Sequence, residues 1–298
     1  MSSLYGEKLL NAWSNKDPLC GIESKILFKI AVTQVIIEVS SVCNRRCSYC
    51  PHSLLKRPKV CFSEELLDNL LCNLSSINYS GSICLNLYNE PLVYFDDLVS
   101  KIMKIKATLP AAKIFFSTNG DYLTAESLRQ LKEVGLGSLF VTVHPQNAEC
   151  WDTEEIKSLV AKKAALLNLD EGKWAVSPDQ SVHCDLLLEK MPIQIFSLNF
   201  LKVGVNRAGS LTVIEHAQSA KRTRPCTRPL HDFCISYDGS VYPCCQFFHG
   251  LDAHRKFIIG NIRDSSIFSL FVAQRMRRFR KMAFPEGAKA KPCDTCTE

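Results

Sequence analysis

Residues 34–50, QVIIEVSSVCNRRCSYC, decide the fold and the chemistry of this 298-residue chain. The stretch begins with a short apolar run at 34–39, which is typical of a buried β-strand. It continues directly into Cys43, Cys47 and Cys50, which have the spacing C-x3-C-x2-C. Three thiolates so close in sequence can converge on one metal centre, whereas a closed zinc site normally needs four ligands. The spacing therefore indicates either a cubane iron-sulfur cluster with one open iron or an incomplete zinc loop.

Short apolar runs alternate with amphipathic stretches through the first two thirds of the chain. This alternation predicts an α/β fold with a parallel sheet, curled by right-handed crossovers into part of a (β/α)6 barrel. The chemistry of such folds is carried at the carboxyl ends of the parallel strands. We expect strands at 34–39, 83–87, 113–117, 138–144, 182–188 and 200–205, and helices at 63–74, 95–107, 124–134 and 153–167.

Polar groups follow several of the predicted strands directly. Asn89-Glu90-Pro91 comes after the second strand, Ser117-Thr118-Asn119 lies at the end of the third, and His144 ends the fourth. Because the carboxyl ends of parallel strands meet at one edge of a sheet, we expect these groups to converge with the three cysteines on one rim.

The sequence pattern changes after residue 208. Short β-like pieces follow, and Asp238-Gly239 between two of them is a hairpin signal. A basic helical stretch at 269–282 leads into a cysteine-containing tail. We therefore predict an N-terminal extension without an assigned role over 1–32, a core domain over 33–208, and a small α+β domain over 209–298.

A second set of cysteines lies in the small domain. Its spacing is C-x17-C-x48-C-x2-C, formed by Cys226, Cys244, Cys293 and Cys296. Four thiolates make a closed set that suits either zinc or a 4Fe-4S cluster. Cys245 is an alternative to Cys244 as the ligand, and Cys234 is expected to be a buried thiol.

The first cysteine loop resembles the signature of the radical S-adenosylmethionine (radical SAM) enzymes, which has an aromatic residue before the last cysteine. Tyr49 holds that position here, and Tyr88-Asn89-Glu90-Pro91 stands at the family's Gly-Glu motif, with Asn89 in place of the usual glycine. Ser117-Thr118-Asn119-Gly120 is similar to the third-strand motif near the ribose. The resemblance implies a 4Fe-4S cluster on Cys43, Cys47 and Cys50, whose open iron binds SAM, and SAM contacts from Tyr49, Asn89, Glu90, Pro91, Ser117, Thr118 and Asn119.

The second cysteine set resembles the twitch version of the SPASM domain, which many radical SAM enzymes carry after the core. Residues 238–244, 260–262 and 206–209 are similar to its connecting motifs. The resemblance implies one auxiliary 4Fe-4S cluster on Cys226, Cys244, Cys293 and Cys296.

Together these resemblances imply an oxidoreductase that cleaves SAM reductively to a 5′-deoxyadenosyl radical and removes hydrogen from a substrate. An auxiliary cluster that takes up an electron favours net oxidation, and a small polar metabolite such as a sugar, cyclitol or nucleoside is the favoured substrate. Oxidation, epimerisation or crosslinking of a ribosomally made peptide is the alternative, and a zinc-stabilised binding module is a distant one. The candidate catalytic groups are His144, Arg207 and Glu189, and an external reductant such as flavodoxin or ferredoxin is implied.

Composition limits the class of protein further. The chain has 15 cysteines, and an odd count in a chain without a secretory signal favours reduced thiols and metal ligands over a disulfide framework. Apolar runs long enough to span a membrane are absent from the sequence, so we expect a cytoplasmic protein without membrane partners. The formal net charge of +6 becomes smaller once the negative charge of two clusters with their thiolate ligands is added. We therefore do not expect nucleic acid as a partner.

Overall fold

One open sheet forms the centre of the molecule. The structure is a computed structural model and describes residues 21–145, 151–169 and 172–298. The sheet order in this part of the chain is β10-β9-β8-β1-β2-β3-β4-β7-β6-β5. Its strands are β1 Gln34–Ile37, β2 Ser82–Cys84, β3 Lys113–Thr118, β4 Ser138–Thr142, β5 Lys173–Ser177, β6 Ser181–Leu188, β7 Met191–Leu198, β8 Asp232–Ile235, β9 Ser240–Tyr242 and β10 Gly260–Asn261.

Helices of the core follow the strands and bury their apolar faces against the sheet. The second helix shows why the sequence folds in this way: Ser63 caps its first turn by accepting a hydrogen bond from the Leu66 amide at 3.3 Å. The helices are α1 Gly21–Ala31, α2 Glu64–Ser75, α3 Phe95–Thr108, α4 Ala125–Glu133, α5 Thr153–Leu166, α6 Phe200–Val203, α7 Glu215–Ser219, α8 Arg228–His231, α9 Asp252–Arg255, α10 Ile267–Phe271 and α11 Gln274–Ala283.

Parallel pairing runs from β8 through β1, β2, β3 and β4 to β7. The predicted α/β class with a parallel sheet is therefore confirmed. The carboxyl ends of these strands lie along one edge, and the loops that leave this edge carry the three cysteines of the first loop and the polar groups of the second and third strands.

Two strand predictions need correction. The predicted strand at 182–188 exists as β6, but it pairs antiparallel with β7, because Glu189 and Lys190 form a tight turn between Leu188 and Met191. Glu189 adopts a positive φ of 56° in that turn. The predicted strand at 200–205 is instead the short helix α6 followed by a loop, and β7 takes its place in the parallel sheet.

The C-terminal residues extend the sheet on its other side. Strand β8 pairs in parallel with β1, from Gln34 beside Asp232 to Ile37 beside Ile235. The predicted hairpin at 238–239 joins β8 to β9, with Gly239 at a positive φ of 88°. Cys244 lies two residues after β9, which runs antiparallel to β8 and so leads the chain back from the turn at 238–239.

Candidate active site

An open cleft with an empty volume of about 740 Å³ lies at the carboxyl ends of the parallel strands. It brings together most of the side chains predicted for this rim. Pro91 is not among the lining residues and instead begins a short 3-10 helix, Pro91–Tyr94. The predicted residues that line the cleft are Cys43, Cys47, Cys50, Tyr49, Asn89, Glu90, Ser117, Thr118, Asn119, His144 and Arg207.

The three cysteines of the first loop lie within each other's electrostatic field. The pKa of Cys43 is raised to about 11, mainly by burial and also by the negative charges of Glu90, Cys50 and Cys47, while the Arg45 backbone amide acts in the opposite direction. Burial likewise raises the pKa of Cys50, while Arg207 and Arg57 act in the opposite direction. Free thiols are thus costly to ionise here, and a bound cationic cluster core supplies the compensating charge.

Glu90 is almost fully buried, with 2% of its surface exposed. Its Oε1 accepts hydrogen bonds from Thr118 Oγ1 at 2.7 Å and the Leu92 amide at 3.1 Å, and its Oε2 accepts one from the Asn119 amide at 2.8 Å. Burial raises the pKa of the carboxyl, whereas these donors lower it. A carboxylate has about four acceptor positions, so Oε2 keeps one for a cationic ligand in the cleft.

Asn89 replaces the usual glycine without strain, because its φ does not fall in the left-handed region that favours glycine. Its Oδ1 accepts a hydrogen bond from the Leu87 amide at 3.1 Å, which fixes the orientation of the carboxamide. Its Nδ2 is buried and has no hydrogen-bond partner, although the residue is only 7% exposed and lines the cleft. This donor is therefore available to a ligand bound in the cleft.

The cysteine loop is held to the loop after β3 by polar contacts. Arg45 forms a two-point ion pair with Asp121, at 2.7 Å from Nε and 2.6 Å from Nη2. Asn44 bonds both Asp121 and Asn119 at 2.7 Å. The hydrogen bond from Arg45 holds the pKa of Asp121 below its usual range. These contacts fix the first cysteine loop against the third-strand motif.

Aromatic side chains form the wall of the cleft next to the last cysteine. The rings of Tyr49 and Phe200 stack with centroids 4.5 Å apart, and His144 stacks on Phe200 at 6.0 Å. The Tyr49 hydroxyl and His144 Nδ1 lie 2.6 Å apart. Burial lowers the pKa of His144 to about 4 and raises that of Tyr49, so both groups are neutral at pH 7. In the tautomer in which Nδ1 accepts the hydrogen bond of the tyrosine hydroxyl, Nε2–H is left as a donor.

Arg207 forms another part of the cleft wall and has a positive φ of 48° within a tight turn. Its guanidinium lies 5.8 Å from the centre of the Tyr88 ring, and Nη1 donates to Gln246 Oε1 at 3.3 Å. The Tyr88 hydroxyl donates to the carbonyl of Cys245 at 2.9 Å. This wall joins the SAM-motif loop to the segment that carries the second cysteine set.

A second cavity, with an empty volume of about 400 Å³, lies behind that wall. Burial raises the pKa of Cys244, Cys293 and Cys296, and the nearby charge of Cys226 raises each of them further. The four cysteines predicted to bind the auxiliary cluster, Cys226, Cys244, Cys293 and Cys296, all line this cavity.

Cys245 does not line the four-thiol cavity and packs instead beside Cys84 and Cys234. Both of these thiols are buried, as predicted for Cys234. The geometry therefore places Cys244, and not Cys245, toward the other three cysteines.

Both sets of thiols fit iron-sulfur clusters. Among the described residues, no three His, Cys, Asp or Glu side chains lie close enough to share a single metal ion. A cubane does not require this, because each of its cysteines binds a different iron atom. Three thiols at an open cleft leave room for SAM on the fourth iron, and four thiols around a closed cavity leave no open position.

Glu189 is not in the cleft, and its predicted position on the rim is corrected. It lies in the β6–β7 turn, its side chain is 71% exposed, and it forms an ion pair with Lys132. The reason is that β6 runs antiparallel to the strands of the core, so its carboxyl end points to the opposite edge of the sheet.

A buried ion pair beneath the cysteine loop was not predicted. Arg57 Nη1 and Glu38 Oε1 lie 2.8 Å apart, with 1% and 0% of their side chains exposed. The Arg57 guanidinium also packs on the ring of Phe248 at 4.4 Å, and Ser236 donates to Glu38 at 2.9 Å. The single charged residue Glu38 directly after the apolar strand at 34–37 was the available signal, but Arg57 and the contacts in the C-terminal domain are remote from it in sequence.

Comparison with known protein families identifies the class. Residues 37–149 match the family model of the radical SAM superfamily, and residues 226–297 match that of the iron-sulfur cluster-binding SPASM domain. The chain is therefore a radical SAM enzyme with a C-terminal SPASM domain. Such an enzyme holds a 4Fe-4S cluster and SAM in its core and an auxiliary cluster in the SPASM domain, which overturns the distant alternative of a zinc-stabilised binding module.

Individual relatives extend the comparison over most of the chain. It is 28% identical over 267 residues to the S-adenosyl-L-methionine-dependent 2-deoxy-scyllo-inosamine dehydrogenase of Niallia circulans, which covers 89% of this chain and 92% of that protein. The crystal structure of BtrN in complex with AdoMet and 2-DOIA has a TM-score of 0.65 and 25% identity, covering 90% of this chain and 93% of that one. BtrN in an open conformation gives a TM-score of 0.59 at 23% identity, with coverages of 90% and 92%.

The search for membrane-spanning segments gave a negative result. Within residues 21–145, 151–169 and 172–298, no helix has the length and apolar character needed to span a bilayer.

Proposed function

We propose that this enzyme is a radical SAM dehydrogenase that oxidises an alcohol carbon of a small polar metabolite by two electrons. One observation carries the proposal: the wall between the cleft and the four-thiol cavity is a single turn of chain. Arg207 lines the cleft, whereas the next residue, Ala208, lines the cavity. Gln246 also lines the cavity and accepts the hydrogen bond of Arg207.

The bound groups supply the radical that removes a hydrogen atom from the substrate and the cluster that takes up the remaining electron. The protein's own residues bind and orient the reactants. Glu90 receives the ammonium of SAM, and Thr118 and Asn119 position its carboxylate through their hydrogen bonds. Ser117 and the Asn119 side chain lie on the ribose side of the cofactor. Tyr49 presents its ring to the nucleoside.

Arg207 and His144 both line the cleft and would contact the substrate there. The permanent positive charge of Arg207 stabilises an alkoxide and so favours loss of the hydroxyl proton. The neutral His144 donates Nε2–H to a second hydroxyl and thereby orients the ring. Substrate oxidation then releases one hydrogen atom, one proton and one electron, which balances the conversion of an alcohol to a ketone.

The relative from Niallia circulans is named for 2-deoxy-scyllo-inosamine, so aminocyclitols are the first substrates to test. We propose flavodoxin or ferredoxin as the reductant and the cytoplasm as the compartment, because exposed iron-sulfur clusters need reducing surroundings and the described cysteines are free thiols.

The test is an anaerobic assay of cyclitols, amino sugars and nucleosides that measures 5′-deoxyadenosine and product together. We expect one 5′-deoxyadenosine for each product molecule two hydrogens lighter than its substrate. A product of unchanged mass would overturn the dehydrogenase, and turnover restricted to a peptide would replace the substrate class. A Cys226→Ala/Cys244→Ala variant should still cleave SAM but lose the coupling to product.

A further inference from the structure

A basic surface covers the outer side of the SPASM domain. Arg275 Nη1 donates to the carbonyl of Ile258 at 2.9 Å, which joins α11 to the segment after α9. Helix α11 has the sequence QRMRRFRKMA and contains no acidic residue. We call this surface the α9–α11 face; its exposed cations are Arg255, Lys256, Arg275, Arg278 and Lys281.

This surface has little internal charge compensation. Asp252, at the start of α9, pairs with Arg255 at 3.3 Å, but both side chains are largely exposed, so water screens the pair. The remaining four cations have no carboxylate partner among the described residues. The α9–α11 face therefore presents a positive field to solvent.

A layer of three phenylalanine rings separates this face from the four-thiol cavity. Phe257 contacts Phe247 with centroids 4.8 Å apart and Phe279 at 6.1 Å, and Phe247 contacts Phe279 at 5.7 Å. Phe247 and Phe279 line the cavity, while Phe279 belongs to the same helix as Arg275, Arg278 and Lys281. The cavity thus lies one aromatic layer below the basic surface.

We propose that the α9–α11 face docks an acidic one-electron carrier protein, which withdraws the electron that substrate oxidation leaves on the auxiliary cluster. The inference rests on the proposed function. In this step the cluster is oxidised by one electron, an oxidised flavin or iron-sulfur carrier is reduced by one electron, and no atom is transferred. A cluster that is filled in each turnover must be emptied, and the α9–α11 face is a positively charged surface that one aromatic layer separates from the cavity.

The competing face lies beside the first cysteine loop. Lys56 and Lys59 are exposed there, after Cys50. That surface is suited to delivery of an electron to the SAM-binding cluster, whereas the α9–α11 face adjoins the cavity of the auxiliary cluster. Substitutions at the two faces therefore separate the two roles.

The experiment uses the full chain with Cys43→Ala, Cys47→Ala and Cys50→Ala, which leaves the auxiliary cluster as the redox centre and removes radical chemistry from the measurement. The photoreduced protein is mixed anaerobically with oxidised flavodoxin, and reoxidation is followed by stopped-flow absorbance. We expect Arg278→Glu/Lys281→Glu to lower the second-order rate constant by about tenfold or more and to flatten its dependence on ionic strength. Arg278→Gln/Lys281→Gln should give an intermediate value.

Two controls make the result specific. Reoxidation by a neutral quinone should be unchanged in both variants, because a small uncharged oxidant does not depend on the surface charge. Lys56→Glu/Lys59→Glu should leave the flavodoxin rate unchanged.

Equal flavodoxin rates in the parent and the Arg278→Glu/Lys281→Glu variant would overturn the docking proposal, as would an equal loss with the quinone. A loss confined to Lys56→Glu/Lys59→Glu would move the docking site to the other face. A cysteine triple variant without iron would overturn the auxiliary cluster of the proposed function, and the docking proposal with it.

Discussion

Asn89 carries a buried amide nitrogen without a hydrogen-bond partner, in the motif that we propose contacts SAM. The change Asn89→Asp keeps the acceptor for the Leu87 amide but replaces the free donor with an oxygen, and it adds negative charge beside Glu90. We expect the dissociation constant of SAM to rise by about tenfold, because a hydrogen bond to a charged group contributes about 1.5–3 kcal/mol. Equilibrium dialysis with the anaerobic holoenzyme measures it.

The matched variant for this prediction is Asn89→Ala, which loses both the acceptor and the donor without adding charge. Its SAM affinity should lie between those of the wild type and Asn89→Asp. Affinity that is unchanged in both variants would show that the amide nitrogen makes no contact with the cofactor.

His144 links the stability of the enzyme to pH. Burial is the main cause, and Arg45 the second, of its low pKa of about 4, whereas an unfolded histidine titrates near 6.5. The unfolded state therefore binds the proton first, and folding stability is lost as the pH falls from about 6.5 to about 4. We expect His144→Gln to reduce the slope of the unfolding midpoint between pH 6.5 and 4.5.

Some slope should remain in this variant, because burial also lowers the pKa of His52, to about 4, and that of His254. Thermal unfolding at a series of pH values measures the slope. An identical slope in wild type and His144→Gln would contradict the burial of a neutral imidazole.

The residues that the sequence could predict are those that lie in short local motifs. The spacing of Cys43, Cys47 and Cys50 in one loop indicated a shared metal centre, and the resemblance to the radical SAM family implied the cluster and the role of Glu90. Arg57 could not be found in this way, because its contact with Phe248 joins segments that are remote in sequence. Side-chain partners of this kind depend on the final packing of the two domains.

At the scale of elements, the first cysteine loop depends on the ion pair of Arg45 with Asp121. Asp121→Asn weakens this two-point contact, which is partly exposed and is worth about 0.5–1 kcal/mol. We expect the SAM-binding cluster to lose iron to a chelator about two to five times faster, with iron loss from the auxiliary cluster unchanged. Anaerobic chelation followed by absorbance measures both phases.

The control for this prediction is Asp68→Asn, which removes a similar ion pair with Lys104 at 2.7 Å on the surface of α2 and α3. It should leave both rates of iron loss unaltered. Equal acceleration of the two phases in Asp121→Asn would indicate general destabilisation instead of a loosened loop.

Periodicity predicted the parallel strands β1 to β4 and the helices between them, because each buries an apolar face within a short segment. It did not predict that β6 runs antiparallel, and it predicted a strand at 200–205 where the structure has helix α6 and a loop. The direction of β6 follows from a two-residue turn at Glu189. The apolar pattern of 182–188 is the same for a parallel and an antiparallel strand, so it could not show this direction. The apolar residues at 200–205 are compatible with either a strand or a short helix such as α6, and periodicity over six residues cannot distinguish between them.

At the scale of the whole molecule, the ion pair of Arg57 and Glu38 connects the core to the SPASM domain. Arg57 comes from the segment after the first cysteine loop and Glu38 from the end of β1, while Phe248 and Ser236 belong to the C-terminal domain. Arg57 Nη2 also approaches the carbonyl of Tyr88 at 3.4 Å, in the SAM motif. One buried cation thus contacts the segments that we propose to bind both clusters and SAM.

Breaking this pair on one side should therefore destabilise both cluster sites together. Arg57→Met leaves the carboxylate of Glu38 buried without its partner, which costs about 3–5 kcal/mol. Glu38→Gln/Arg57→Met removes both charges and keeps an acceptor for Ser236, so we expect it to recover at least half of that loss. Anaerobic thermal unfolding and the iron content of both clusters provide the measurements. If the two substitutions instead destabilise the enzyme additively, the pair acts as two independent packing groups, and the coupling of the two domains must come from the Tyr88 and Arg207 wall.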